Sequence, residues 1–167
     1  MNHLWAPWRM SYVSSADHQP GCVFCNRCRE DNDHHHGILA RARHSFVILN
    51  AYPYNTGHMM VVPYEHQSDF PSLPCETVTE MMTIAQLCLV VLQQEFHCEG
   101  ANIGLNIGKP AGAGIADHIH LHIVPRWTGD TNFMTSLGDT RVVPQCLEDT
   151  QEILAAPLQK LLAERLG

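Results

Sequence analysis

Between His118 and Pro125 the chain alternates imidazole and aliphatic side chains, His-Ile-His-Leu-His-Ile-Val-Pro, and this stretch restricts the fold more than any other. A two-residue period is that of a strand, so His118, His120 and His122 share one face while Ile119, Leu121 and Ile123 point into a core. Same-face neighbours on a strand stand about 6.6–7 Å apart, which lets the side chains take separate tasks. Near neutral pH an imidazole is a nucleophile, a proton carrier or a metal ligand. A row of them on one face is costly as packing and points to chemistry. Pro125 lacks an amide donor and is expected to end the strand.

The 167 residues suffice for one domain with modest extensions and a real core. A formal charge of −7 argues against non-specific binding to nucleic acid or to an anionic membrane. No apolar run approaches the roughly 20 residues that span a bilayer, and the first ten residues lack the pattern of a signal peptide. Seven cysteines is an odd count. With no export signal, reduced thiols and a cytoplasmic protein are expected, which favours metal binding over disulfides. His34-His35-His36, among Asp31, Asn32, Asp33 and Gly37, reads as a solvated turn.

Residues 1–21 read as an extended arm whose Trp5, Trp8 and Tyr12 pack on the domain or on a second subunit. Gly21–Cys25 reads as a tight CxxC turn. Strands are expected at Ile38–Arg41, Ser45–Asn50, His58–Val62 and Asn102–Asn106, besides the histidine strand. Apolar residues at helical spacing predict one long helix over Thr77–Phe96 and a second over Leu147–Leu166, interrupted or kinked near Pro157. Gly108–Gly114 and Gly129–Gly138 read as loops. Strands that do not alternate strictly with helices predict an α+β fold, an antiparallel sheet covered by helices. The domain proper is placed at 22–127, with a C-terminal extension over 128–167.

Cys22 and Cys25 offer two thiolates at a spacing that suits tetrahedral zinc, and no second CxxC supplies the rest. His66 and His118 are the natural partners for a closed site, with Cys28 as an alternative ligand. A catalytic metal on two strand histidines is the rival reading, but no glutamate follows the pair as a cupin would require. Ahead of the histidines, Asn106–Gly114 carries Gly108, Gly112 and Gly114, which let backbone approach a ligand and present amides to an anion. A histidine nucleophile beside such donors suits phosphoryl or nucleotidyl transfer.

His118–Val124 matches the HxHxHxx signature of the histidine triad family of nucleotide hydrolases and transferases. Leu49-Asn50, Asn55–Pro63 and the Gly-rich approach from Asn106 fall in that family's order. The flanks Leu4–Arg9 and Pro125–Met134 resemble the branch with diadenosine tetraphosphate phosphorylases and Fhit-like hydrolases. The resemblance implies that His120 attacks the α-phosphorus and carries a nucleotidyl intermediate. It also implies that His122 binds phosphate oxygens and that His58 hydrogen-bonds within the row. Asn50 then contacts ribose and Asn106 phosphate. Zinc-containing relatives imply one structural zinc on Cys22, Cys25, His66 and His118, and a homodimer is implied as well, joined through the long helix and an adjoining strand edge.

The resemblance thus implies cleavage of a dinucleoside polyphosphate such as diadenosine tetraphosphate, with water or phosphate resolving the intermediate. The alternatives are hydrolysis of nucleoside phosphoramidates and a nucleotide-sensing binding module. One departure stands out. Where many relatives carry Gln-Ser or Gln-Thr, this chain has Ala113-Gly114-Ile115, so amides of Gly112 and Gly114, helped by Lys109, are the expected phosphate donors. Phe46, Ile48 and Leu49 are candidates for an adenine pocket.

Overall fold

Ala42-Arg43-His44 turns β1 (Ile38–Arg41) into β2 (Ser45–Leu49), and the two strands pair antiparallel, Arg41 opposite Phe46 and Ile38 opposite Ile48. The computed structural model describes residues 21–130 and 145–166. The expected N-terminal arm and the part of the second loop beyond Asp130 lie outside the described residues. β3 (Met59–Pro63), β4 (Gly100–Leu105) and β5 (Leu121–Arg126) complete a sheet of order β1-β2-β3-β5-β4 in which every neighbouring pair is antiparallel. The expected α+β architecture is what the chain adopts.

Alternation along the strands divides the core in two. Leu39, Val47, Leu49, Met59, Val61, Leu121 and Ile123 face the helix α3 (Cys75–Phe96) and the helix α4 (Leu147–Leu166). Ile38, Phe46, Ile48, Met60 and Val62 face the other way and close over Phe24. Phe24 belongs to a short helix, α1 (Val23–Arg29), where the sequence suggested only a turn. The histidine-rich loop likewise contains one turn of helix, α2 (Asp33–His36), capped by the Asn32 side chain and ended by Gly37 in the left-handed region. Arg41 ties both pieces to the sheet, gripping Asp33 with Nε and Nη2 and the Cys28 carbonyl with Nη1.

α3 buries Met81, Ile84, Ala85, Cys88, Val91 and Leu92, the recurring stripe of an amphipathic helix. By length and composition alone it could cross a bilayer, contrary to the expectation that no such run exists, yet half of that stretch is buried inside the fold. Glu80 on α3 is buried with its charge answered by the His44 amide at 2.9 Å and the Ser45 hydroxyl at 2.7 Å. α4 runs unbroken through Pro157. The carbonyl that loses its partner belongs to Ile153, on the exposed side of the helix, where water can complete it. Gln151 and Gln159 of α4 donate to the carbonyls of Ile38 and Leu39 on edge strand β1.

Pro125 does not end the histidine strand; it pairs opposite Ala101 inside β5. A strand residue points its N and its carbonyl to the same edge, and the Pro125 carbonyl accepts from Asn55 Nδ2 at 3.1 Å. The missing donor therefore faces ground that β3, whose pairing ends at Met59 with Ile123, does not reach. The strand also begins later than expected, at Leu121. His118–His120 is tied instead by the Ile119 amide to the Gln67 carbonyl.

Candidate active site and metal centre

Cys22 at the mouth of α1, Cys25 one turn on, His66 after β3 and His118 before β5 bring four ligand atoms within 4.8 Å of one another. Cys22 Sγ lies 3.2 Å and Cys25 Sγ 3.6 Å from His118 Nδ1. His66 Nδ1 lies 3.4 Å from Cys25 Sγ and 3.3 Å from His118 Nδ1. Zinc bonds of about 2.3 Å to sulfur and 2.0–2.1 Å to nitrogen make tetrahedral edges of about 3.3–3.8 Å, so the donors fit. His118 Nε2 lies 2.9 Å from the Pro63 carbonyl, which can only accept; the proton is therefore on Nε2 and the Nδ1 lone pair faces the cluster. Cys28 turns its thiol to the Cys25 carbonyl at 3.4 Å and stands outside the four.

One same-face step along the chain, His120 is buried, 5% exposed. Its Nδ1 is 2.8 Å from the His118 carbonyl, which again fixes the proton on that nitrogen and leaves the lone pair on Nε2. Phe24 packs its ring 5.2 Å from His120 and 5.4 Å from His118. Burial pushes the His120 pKa below the ordinary 6.5, with the bond to the His118 carbonyl opposing it. The imidazole is thus neutral near pH 7, the form a nucleophile requires.

A backbone amide fixes the next two rings. Tyr54 N–H donates to His58 Nδ1 at 3.0 Å, so neutral His58 carries its proton on Nε2. That Nε2 meets His122 Nδ1 at 3.0 Å and donates to it, which leaves the His122 proton on Nε2. His122 Nε2 is 3.5 Å from the Asn106 amide, and the His120 and His122 rings stand edge to face with centroids 4.8 Å apart. Two neighbouring imidazoles therefore differ in role: His120 presents a lone pair and His122 an N–H.

Asn50, paired with His58 across the ends of β2 and β3, places Nδ2 3.4 Å from that ring and accepts the Tyr52 amide. Gly104 lies opposite His122 on β4, and a side chain there would meet nothing within 4 Å, so that flank stands open. The glycine loop is less generous than the sequence suggested. Gly112 donates its amide to the Lys109 carbonyl at 2.9 Å, while Ala111 and Ala113 donate to Gly108, so these donors serve the turn itself. Gly114 lies two residues past Gly112 in the same segment. Phe46 and Ile48 are wholly buried beneath α1, and Leu49 faces the opposite side of the sheet; they are core and not an adenine pocket.

The HIT domain model matches residues 33–129, a span that holds the three aligned imidazoles, His58, both asparagines and two of the four metal donors. The chain belongs to the HIT domain family. The AP-4-A phosphorylase of Mycobacterium tuberculosis is 37% identical over 163 residues, which cover 93% of this chain and 83% of that one. A zinc-bound histidine triad family protein from Mycobacterium smegmatis superposes with a TM-score of 0.70 at 31% identity, over 87% of this chain and 98% of its own. A hypothetical histidine triad nucleotide-binding protein from Sulfolobus tokodaii gives 0.67 at 25% identity, over 86% and 96%. In this HIT-family chain, sequence reasoning missed Phe24 and Tyr54. Phe24 sits between Cys22 and Cys25, a signal in plain view; Tyr54 acts through its backbone and leaves no signature of residue type.

Proposed function

We propose that this chain cleaves dinucleoside polyphosphates, with diadenosine tetraphosphate the preferred candidate, through a nucleotidyl intermediate on His120. The observation that carries the reading is the pairing of opposite tautomers at His120 and His122. His120 Nε2 attacks the α-phosphorus; the new P–N bond forms as the bond to the bridging oxygen breaks, and ATP leaves. His122 Nε2–H donates to oxygens of the α-phosphate and stabilises the charge gathering there. Asn106 adds a second donor, Asn50 holds ribose, and Gly114 lines the approach. An acceptor then attacks the phosphorus, displaces His120 and restores its lone pair.

The name of the M. tuberculosis relative favours inorganic phosphate as that acceptor, giving ADP beside ATP; water in the same place gives AMP. Cys22, Cys25, His66 and His118 would hold zinc. The ion would contribute rigidity to the segment carrying His120, since thiolate and imidazole donors close the site and leave no position for substrate. We place the protein in the cytoplasm, in keeping with its free cysteines. We further place a second copy against the β4 edge, where Ile103 and Ile107 are exposed.

Incubation with labelled diadenosine tetraphosphate, with and without phosphate, tests the reading. Expected are a nucleotidyl adduct trapped at His120 by rapid quench, ADP and ATP as products with phosphate present, and neither with His120→Ala. Cleavage by His120→Ala at the wild-type rate would overturn it.

A further inference from the structure

Asp130 lies beyond the end of β5, in the Arg126-Trp127-Thr128-Gly129-Asp130 stretch that the chemistry above leaves without a task. Its carboxylate is 9% exposed and collects four donors among the described residues. Oδ2 accepts from Arg126 Nε at 2.6 Å, Asn55 Nδ2 at 2.9 Å and the Trp127 amide at 3.2 Å; Oδ1 accepts from Arg126 Nη2 at 2.8 Å. Arg126 is held from its other side by Asn102.

Asn55 is the link that matters. Its side-chain amide spans Asp130 and the Pro125 carbonyl, which pins the 53–57 turn to the end of β5. Its own carbonyl accepts the His58 amide at 3.1 Å, and its neighbour Tyr54 donates to His58 Nδ1. The turn therefore fixes the backbone and the ring of His58 together. Loosening it frees the Tyr54 amide, and with it the reason that His58 and His122 keep their protons on Nε2.

We infer that Asp130 is a positioning residue for the His58–His122 pair, acting through Asn55 on the turn that sets both imidazole tautomers. The inference rests on the catalytic reading above for its effect on rate. It carries a structural signature of its own, so the two can fail separately. Carboxylate is the fitting group: it answers Arg126 with two oxygens and still accepts the Asn55 amide, which a side chain with one oxygen cannot do equally well.

The test uses the full chain. In wild type, long-range proton–nitrogen NMR of the imidazoles should show His58 and His122 protonated on Nε2. In Asp130→Ala the expectation is a mixture of tautomers at both rings and a kcat lower by about ten- to a hundredfold, the scale of a misplaced reacting group. KM should change less than kcat, because the His122 N–H meets more charge on the α-phosphate in the transition state than in the bound substrate. Asp130→Asn keeps an oxygen within reach of Asn55 and should recover most of kcat. Asn55→Ala should match Asp130→Ala, and the double variant should add nothing further. Asn102→Ala, which removes the other partner of Arg126, should leave kcat and tautomers unchanged. Unaltered tautomers in Asp130→Ala, or additive losses in the double variant, would overturn the inference. If Asp130→Ala does not fold, Asn55→Ala against Asp130→Asn decides the same point. Loss of all activity dependence on His120 would sink the catalytic reading and leave the NMR result standing.

Discussion

The ring of Phe24, flanked within three residues by Cys22 and Cys25, lies 5.2 Å from the ring of His120. The four-donor cluster and the proposed nucleophile thus share one aromatic side chain, itself 2% exposed. Phe24→Ala should cost about 3–5 kcal/mol of stability, as large-to-small changes in cores do. It should also lower kcat by loosening His120. Urea unfolding and steady-state kinetics on the same preparation check both. Wild-type kcat in a destabilised variant would show that the ring packs without positioning.

Metal content separates the ligand cysteines from their neighbour. Protein purified without chelator should carry about one equivalent of zinc. Cys22→Ser and Cys25→Ser should lose it and melt at lower temperature. Cys28→Ser should retain it, because that thiol engages the Cys25 carbonyl. Elemental analysis with a thermal melt reads each outcome, and loss of metal from Cys28→Ser would contradict the four-ligand assignment.

Gly57 sits at φ +77°, and a Cβ there would lie 2.9 Å from Leu92 Cδ2 and 3.1 Å from Phe96. Gly57→Ala is therefore strained twice, by backbone and by contact, and should lose at least about 1 kcal/mol. Because Gly57 immediately precedes His58, kcat should fall with it. Chemical denaturation and kinetics measure the two effects; a variant as stable as wild type would show that the helix end yields more readily than its packing implies.

Glu80→Ala leaves the His44 amide and the Ser45 hydroxyl without their shared acceptor in a buried setting. The expected loss is about 1–3 kcal/mol. Activity at a temperature well below the melt should be unchanged, since Ser45 connects to the row only through Pro63, its partner on β3, whose carbonyl accepts from His118 rather than from His120 or His122. A comparable loss of kcat would reveal coupling between that turn and the site.

How much of this was legible in the residues differs from group to group. The histidine alternation specified a face, and His118, His120 and His122 lie on it, because side-chain direction in extended chain depends only on parity. The clustering of Cys22, Cys25, His66 and His118 was legible by type, since a lone CxxC must seek partners elsewhere. Pro125 was misread because its missing donor matters only where a neighbouring strand asks for one, and pairing lengths do not appear in sequence. The glycine loop misled for a related reason: its amides look available until the turn claims them. The task of Tyr54 is carried by a backbone group, which every residue but proline possesses.

The glutamines of α4 lie along the outer border of β1 and occupy carbonyls that a further strand would need. The opposite border, β4, has no such sheath among the described residues. Were two chains to meet border to border at β4, as proposed above, the flanks left outside would be those that Gln151 and Gln159 line among the described residues, and such a pairing would offer no bare strand for a third copy to extend.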